Sequence, residues 1–228
     1  MSTLDMTRPK PSSDAAVGAG IDSAANEDSA KRQQILEGAR QVFLTDGFDG
    51  ASMNDVAREA GVSKGTLYVY FDSKVALFEA LVREERQQQA ERLCIIYDDD
   101  DAELRATLIQ FGVNLVEMMT RPSNIAQVRT VLAVAPKFPQ VGRAFYESGP
   151  QVGLTRLAAY LGRRIAKGEL AIDDLPLAAA QLLELFHAGL LKPLMFCAGD
   201  TPSRVEIERK VTRNVDVFLA AYTRKPSD

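Results

Sequence analysis

The chain has 228 residues, 46% of them hydrophobic, enough for one large or two small packed domains. Its formal net charge is −4, so whole-molecule electrostatics do not announce a nucleic-acid binder. No run approaches the roughly 18 apolar residues of a membrane-spanning helix. An apolar signal-peptide core is also missing from the N-terminus, and Cys94 and Cys197 lack neighbours that would lower a thiol pKa. A cytoplasmic protein with reduced thiols is the expectation.

Residues 1–28 are rich in Ser, Ala, Asp, Gly and Pro and poor in large apolar side chains, which predicts a disordered tail. Over residues 29–46, Ile35, Ala39, Val42 and Phe43 recur at helical spacing, and Gly47 stops that helix. Phe48 is expected to tuck back into the core.

Two short helices follow. Ser52 can cap the first, in which Val56 and Ala60 share a face and Ala57 permits close approach of a second helix. Gly61 permits the left-handed backbone that ends it, and Ser63 caps the next, whose Leu67 and Phe71 lie four apart. Two short helices joined by Gly61-Val62-Ser63 make a helix-turn-helix, whose second helix enters the DNA major groove.

A long helix then begins at Ser73 and carries its apolar signal to about Tyr97. Asp98-Asp99-Asp100-Asp101 invite a metal hypothesis, but consecutive Asp residues do not converge easily on one ion, and the Gly and terminal Glu of an EF-hand loop are missing. A solvated, helix-capping loop is the better reading. Helices are expected over residues 102–119 and from Pro122 to Val134, with breaks at Pro136 and Pro139. Another leads through Leu154 to Ile165, one from Leu175 to about Met195 is interrupted near Pro193, and a last one carries Val205 to Leu219. No alternating strand pattern persists, so the chain reads as all-α. Residues 29–78 form the helix-turn-helix domain, joined by the long helix to a larger helical domain over residues 79–225.

The N-terminal part strongly resembles the TetR family of bacterial transcription regulators. The matching residues are Ile35-Leu36, Val42-Phe43, Gly47-Phe48, Val56-Ala57, Gly61-Val62-Ser63, Gly65-Thr66-Leu67-Tyr68, Tyr70-Phe71 and Ser73-Lys74 with Leu77-Phe78. The resemblance covers roughly residues 31 to 81. It implies a dimeric repressor that leaves a palindromic, double-stranded operator when a small effector binds its C-terminal domain. Lys64, Gly65 and Thr66 match positions that approach base edges, next to the capping Ser63. Ser52, Tyr68, Tyr70 and Lys74 match positions that touch phosphates, where contacts position the protein without reading sequence. The short helix carries no Arg, Asn or Gln, the usual bidentate base readers, so operator preference rests partly on DNA shape. Charge gives no support: six basic residues (Lys31, Arg32, Arg40, Arg58, Lys64, Lys74) balance six acidic ones (Glu37, Asp46, Asp49, Asp55, Glu59, Asp72) between Lys31 and Lys74. DNA binding therefore needs the basic groups gathered on one face.

For the C-terminal domain the resemblance implies an effector pocket and a homodimer. Helices over about 175–195 and 203–222 are too apolar for lone exposed helices and are the interface candidates, although filling one subunit's core accounts for them equally well. Phe111, Leu115, Met118, Met119, Phe145, Phe186 and His187 are the pocket-lining candidates for a hydrophobic or aromatic effector; ordinary core packing is the competing account of each. A single His and two scattered Cys offer no metal-ligand spacing. Cofactor, phosphate-loop and nucleophile-elbow motifs are absent, so enzymatic function is not expected. The alternative to a regulator is a helical small-molecule-binding or dimerisation protein that has lost specific DNA binding.

Overall fold

The computed structural model describes residues 15–94 and 102–223. Among these residues it is all-α and holds no strand, with eleven helices. They are α1 (Ala15–Gly50), α2 (Met53–Glu59), α3 (Lys64–Tyr70), α4 (Lys74–Cys94), α5 (Leu104–Thr120), α6 (Pro122–Val134), α7 (Pro139–Ser148), α8 (Pro150–Ala166), α9 (Leu175–Phe186), α10 (Leu191–Met195) and α11 (Arg204–Tyr222). No helix among the described residues is long and apolar enough to cross a membrane.

Helix α1 begins at Ala15, earlier than the residue 29 read from apolar periodicity, so it extends into the stretch expected as a tail. Ala15, Ala16, Ala19, Ala24 and Ala25 supply helix propensity without the apolar stripe that periodicity detects. The rest of the expected tail lies outside the described residues, as do Asp98 to Asp101 and the last turn foreseen for the long helix. Gly47 sits at φ 69°, a left-handed conformation that bends the end of α1. The bend returns Phe48 to the core, 5.1 Å from the Phe78 ring and 5.8 Å from that of Phe138.

The stretch from Leu175 to Met195 is two helices, not one interrupted at Pro193. The break falls at His187–Leu190, where Gly189 takes φ +71°. Pro193 is the third residue of α10, within the first turn, where its missing N–H has no intrahelical partner to lose.

Two buried cores result. One joins Phe111, Leu157, Tyr160, Leu182, Phe186, Val211 and Phe218 of α5, α8, α9 and α11. The other joins Ile35, Leu36, Phe43, Val56, Leu67, Phe71, Leu77 and Phe78 of α1 to α4, and it also takes in Val131, Val134 and Val141. Helices α6 and α7 therefore pack on the helix-turn-helix, and the boundary expected at residue 78 does not separate two independent cores. Ion pairs tie α1 to α4: Arg32 meets Glu84 at 3.3 Å, and Arg40 meets Glu85 at 3.0 Å.

Candidate functional site

Both serines predicted as caps perform that role. Ser52 Oγ accepts from the Asp55 backbone N–H at 3.2 Å and donates to Asp55 Oδ2 at 2.5 Å. Those bonds, with Arg58 beside it, hold the Asp55 carboxyl below its usual pKa. Ser63 Oγ accepts from Thr66 N–H at 3.0 Å and lies 2.8 Å from Thr66 Oγ1. Gly61, at φ +63°, turns the chain between the two helices.

With Leu67 and Phe71 buried, α3 is fixed in rotation and presents its opposite side to solvent. That side carries Gly65 and Val69, flanked by Lys64 and Tyr68. Val69 is 81% exposed and Tyr68 42%, and the Lys64 ammonium lies 5.9 Å from the Tyr68 ring. A Cβ built on Gly65 would find Ser63 Oγ at 3.7 Å as its nearest neighbour. Packing within the protein does not require a glycine there, whereas close approach of another molecule would.

The eight predicted DNA-contact residues do not form one equivalent set. Ser63, Lys64, Gly65 and Tyr68 are exposed, and Thr66 is half-buried beside them. Tyr70 is half-buried, and its hydroxyl donates to Asp28 Oδ1 at 2.7 Å. Lys74 is turned inward. Its ammonium donates to the carbonyls of Phe48, Asp49 and Ala51 at 2.7, 3.3 and 2.9 Å and lies 4.6 Å from the Phe48 ring. An ammonium has three protons, so those of Lys74 are all engaged in tying α4 to the end of α1.

A cavity of about 380 Å³ lies between helices α4 to α10. Phe111, Leu115, Met118, Met119, Phe145 and His187 line it. Phe186 does not. It is fully buried at 5.7 Å from Phe111, and a Cβ on Gly112 would collide with its ring, so it belongs to the core. His187 Nε2 lies 3.6 Å from Glu184 Oε2 at the cavity edge. Among the described residues no group of three or more His, Cys, Asp or Glu could hold a metal ion.

Comparison with known proteins fits this geometry. Residues 35–81 match the model for bacterial regulatory proteins of the tetR family, and residues 106–224 match that for the C-terminal domain of AefR-like transcriptional repressors. The chain belongs to the TetR family. It is 30% identical over 181 residues to the HTH-type transcriptional repressor Rv1474c of Mycobacterium tuberculosis, covering 78% of this chain and 88% of that one. It is 27% identical over 151 residues to the HTH-type transcriptional repressor AcnR of Corynebacterium glutamicum, covering 66% and 74%. Among solved structures, a TetR-family transcriptional regulator from Mesorhizobium loti superposes with a TM-score of 0.81 at 28% identity, over 86% of this chain and 98% of that one. The flavonoid-responsive regulator FrrA superposes with a TM-score of 0.73 at 32% identity, over 87% and 100%.

This TetR-family protein is a DNA-binding transcriptional regulator. TetR-family regulators bind operator DNA, act as dimers and are generally not enzymes.

Four residues of this regulator escaped the sequence reading. Val69 stands opposite Leu67 on α3 and would have emerged from placing the buried face at Leu67 and Phe71. Arg86, Gln89 and Asn124 all line the cavity. Arg86 lies in register with buried Val82 and Ala90, four residues to either side, so a charged residue on an apolar stripe was the available signal.

Proposed function

We propose that this regulator represses transcription from a palindromic operator and is released from it by a small, largely apolar effector bound in the α4–α10 cavity. The observation that carries this reading is the sharing of two helices. On α4, Leu77, Phe78 and Leu81 pack in the helix-turn-helix core, while Arg86, Gln89, Ala90 and Leu93 line the cavity. On α6, Val131 and Val134 pack in the same core, while Asn124 and Val128 line the cavity. A ligand that favours one arrangement of α4 and α6 over another thereby biases the position of α3. It shifts the equilibrium only by its difference in affinity for the two arrangements.

Ser52, Ser63, Lys64, Gly65, Thr66, Tyr68 and Tyr70 form the operator surface in this reading, with Val69 added to their centre and Lys74 acting as its brace. Val69 and the Thr66 methyl suit contact with thymine methyl groups, and the hydroxyls and Lys64 suit phosphate. Two-fold association through α9 and α11 sets two copies of α3 on successive half-sites. Leu177 (52% exposed) and Val217 (59% exposed) on those helices support that choice of interface. FrrA, whose name records a response to flavonoids, supports an aromatic effector class. The site of action is the cytoplasm, with the operator.

Selection of bound duplexes from random and host genomic DNA tests this function, with a Thr66→Ala, Tyr68→Ala double variant alongside. A palindromic site enriched by the wild type and lost in the variant supports it. Equal recovery of all sequences by both proteins defeats it.

A further inference from the structure

The wall of the cavity is chemically uneven. Helices α5 and α10 contribute Leu115, Met118 and Leu191, but α4 contributes Arg86 and, one turn on, Gln89. Arg86 is only 5% exposed. Its Nη1 donates to Asn124 Oδ1 at 2.7 Å, and its guanidinium lies 4.5 Å from the Phe145 ring centre. Nε and Nη2, which share one edge of the guanidinium, have no hydrogen-bond partner, and neither does Gln89 Oε1.

No carboxylate bonds Arg86 among the described residues. Its neighbour Glu85 is turned to Arg40 and Gln127. The other acid lining the cavity, Glu184, is mostly exposed and stands beside His187. Burial lowers the pKa of Arg86 to about 10, with Glu85 opposing that shift, which leaves the group charged at neutral pH. A buried cation with two idle donors on one edge is unfavourable in isolation. That edge matches a carboxylate, which accepts two parallel N–H bonds.

We infer that the effector is an anion: an aromatic or aliphatic molecule whose carboxylate is held side-on by Arg86 Nε and Nη2 in the cavity. Gln89 Oε1 then accepts from a hydroxyl or amide N–H on the same molecule. The apolar wall of α5 and α10 takes its hydrocarbon part. This inference rests on the cavity being the effector site.

Calorimetric titration of the full chain with three matched pairs tests it: benzoate and benzamide, 2-naphthoate and 2-naphthamide, decanoate and decanamide. Each amide copies the shape of its acid without the charge. The expected result is at least one pair in which the carboxylate binds about tenfold or more tightly than its amide. Arg86→Met is expected to bring that ratio near one, and Arg86→Lys to restore part of it. The wild-type ratios decide even where a variant fails to fold. Equal affinities across all three pairs, or no binding by any carboxylate, overturn the inference. A preference that survives in folded Arg86→Met overturns it too. Neutral ligands that bind here and release the operator would sink the anion and keep the regulator. A carboxylate that binds selectively without changing operator affinity would do the reverse.

Discussion

Arg40 Nε lies 3.0 Å from Glu85 Oε1, which joins α1 of the helix-turn-helix to α4 one residue before the cavity's Arg86. Arg40 Nε makes no hydrogen bond of good geometry, so attraction of charge rather than directional bonding holds this contact. The Glu85 carboxylate also accepts from Gln127 of α6. A single side chain thus touches α1, α4 and α6, the three helices where the two sites meet.

That placement has a pH signature. Burial raises the Glu85 carboxyl pKa above its ordinary value of 4.5, with Arg40 and Gln127 opposing. The folded protein therefore holds this proton more tightly than the unfolded chain does. Its contribution to stability is full below the ordinary pKa and is lost as pH rises through the raised folded value. Glu85→Gln, neutral throughout, is expected to gain melting temperature relative to wild type as pH climbs from about 4.5 toward 7. A variant-minus-wild-type difference that stays flat over this range contradicts the burial of this charge.

Two glycines are expected to respond oppositely to alanine. A Cβ on Gly38 of α1 would lie 2.7 Å from the Cα, N and Cβ of Ala60, where the two helices meet. Gly38→Ala should cost about 1–3 kcal/mol of stability through overpacking. Gly65 has open space instead, so Gly65→Ala should leave stability unchanged or raise it by about 0.5 kcal/mol through helix propensity. The same change should weaken operator binding about tenfold or more by holding the DNA off. Chemical denaturation and fluorescence anisotropy read the two effects separately.

Lys64 and Lys74 should also separate. Lys74→Met removes three hydrogen bonds to backbone carbonyls and is expected to lower stability by about 2–3 kcal/mol. Lys64 makes no ion pair among the described residues. Lys64→Ala should leave the melting curve in place and reduce the salt dependence of operator binding by about one counterion. Equal effects of the two on stability would contradict the inward role of Lys74.

The dimer has its own test. Leu177→Glu together with Val217→Glu places charge on the outer faces of α9 and α11. Sedimentation should then report monomers, and operator affinity should fall because two half-sites are no longer engaged by one particle. A dimer that persists in the double variant puts the interface elsewhere.

The helix-turn-helix was legible residue by residue because local chemistry determines it. Ser52, Gly61 and Ser63 act through bonds and dihedrals within a few positions of themselves, and Leu67 and Phe71 set the rotation of α3 by their spacing alone. The inward bonds of Lys74 were not legible because its partners are carbonyls more than twenty positions away in sequence, at the bent end of α1. The cavity was half legible. Met118 and Met119 announced an apolar helix face, but nothing local separates Phe145, on the cavity, from Phe186, in the core. Sequence patterns treat an Arg on a long helix as solvated, and only the packing of α4 against α7 and the Gly149 turn buries Arg86.

The most direct test of the account is a salt titration of wild-type affinity for the selected operator and for a scrambled duplex of equal length. The account predicts preference for the operator by about a thousandfold or more at physiological salt, with affinity falling steeply as salt rises. Weak, equal and salt-insensitive binding of both duplexes would contradict it, leaving a helical ligand-binding dimer whose α3 no longer reads DNA.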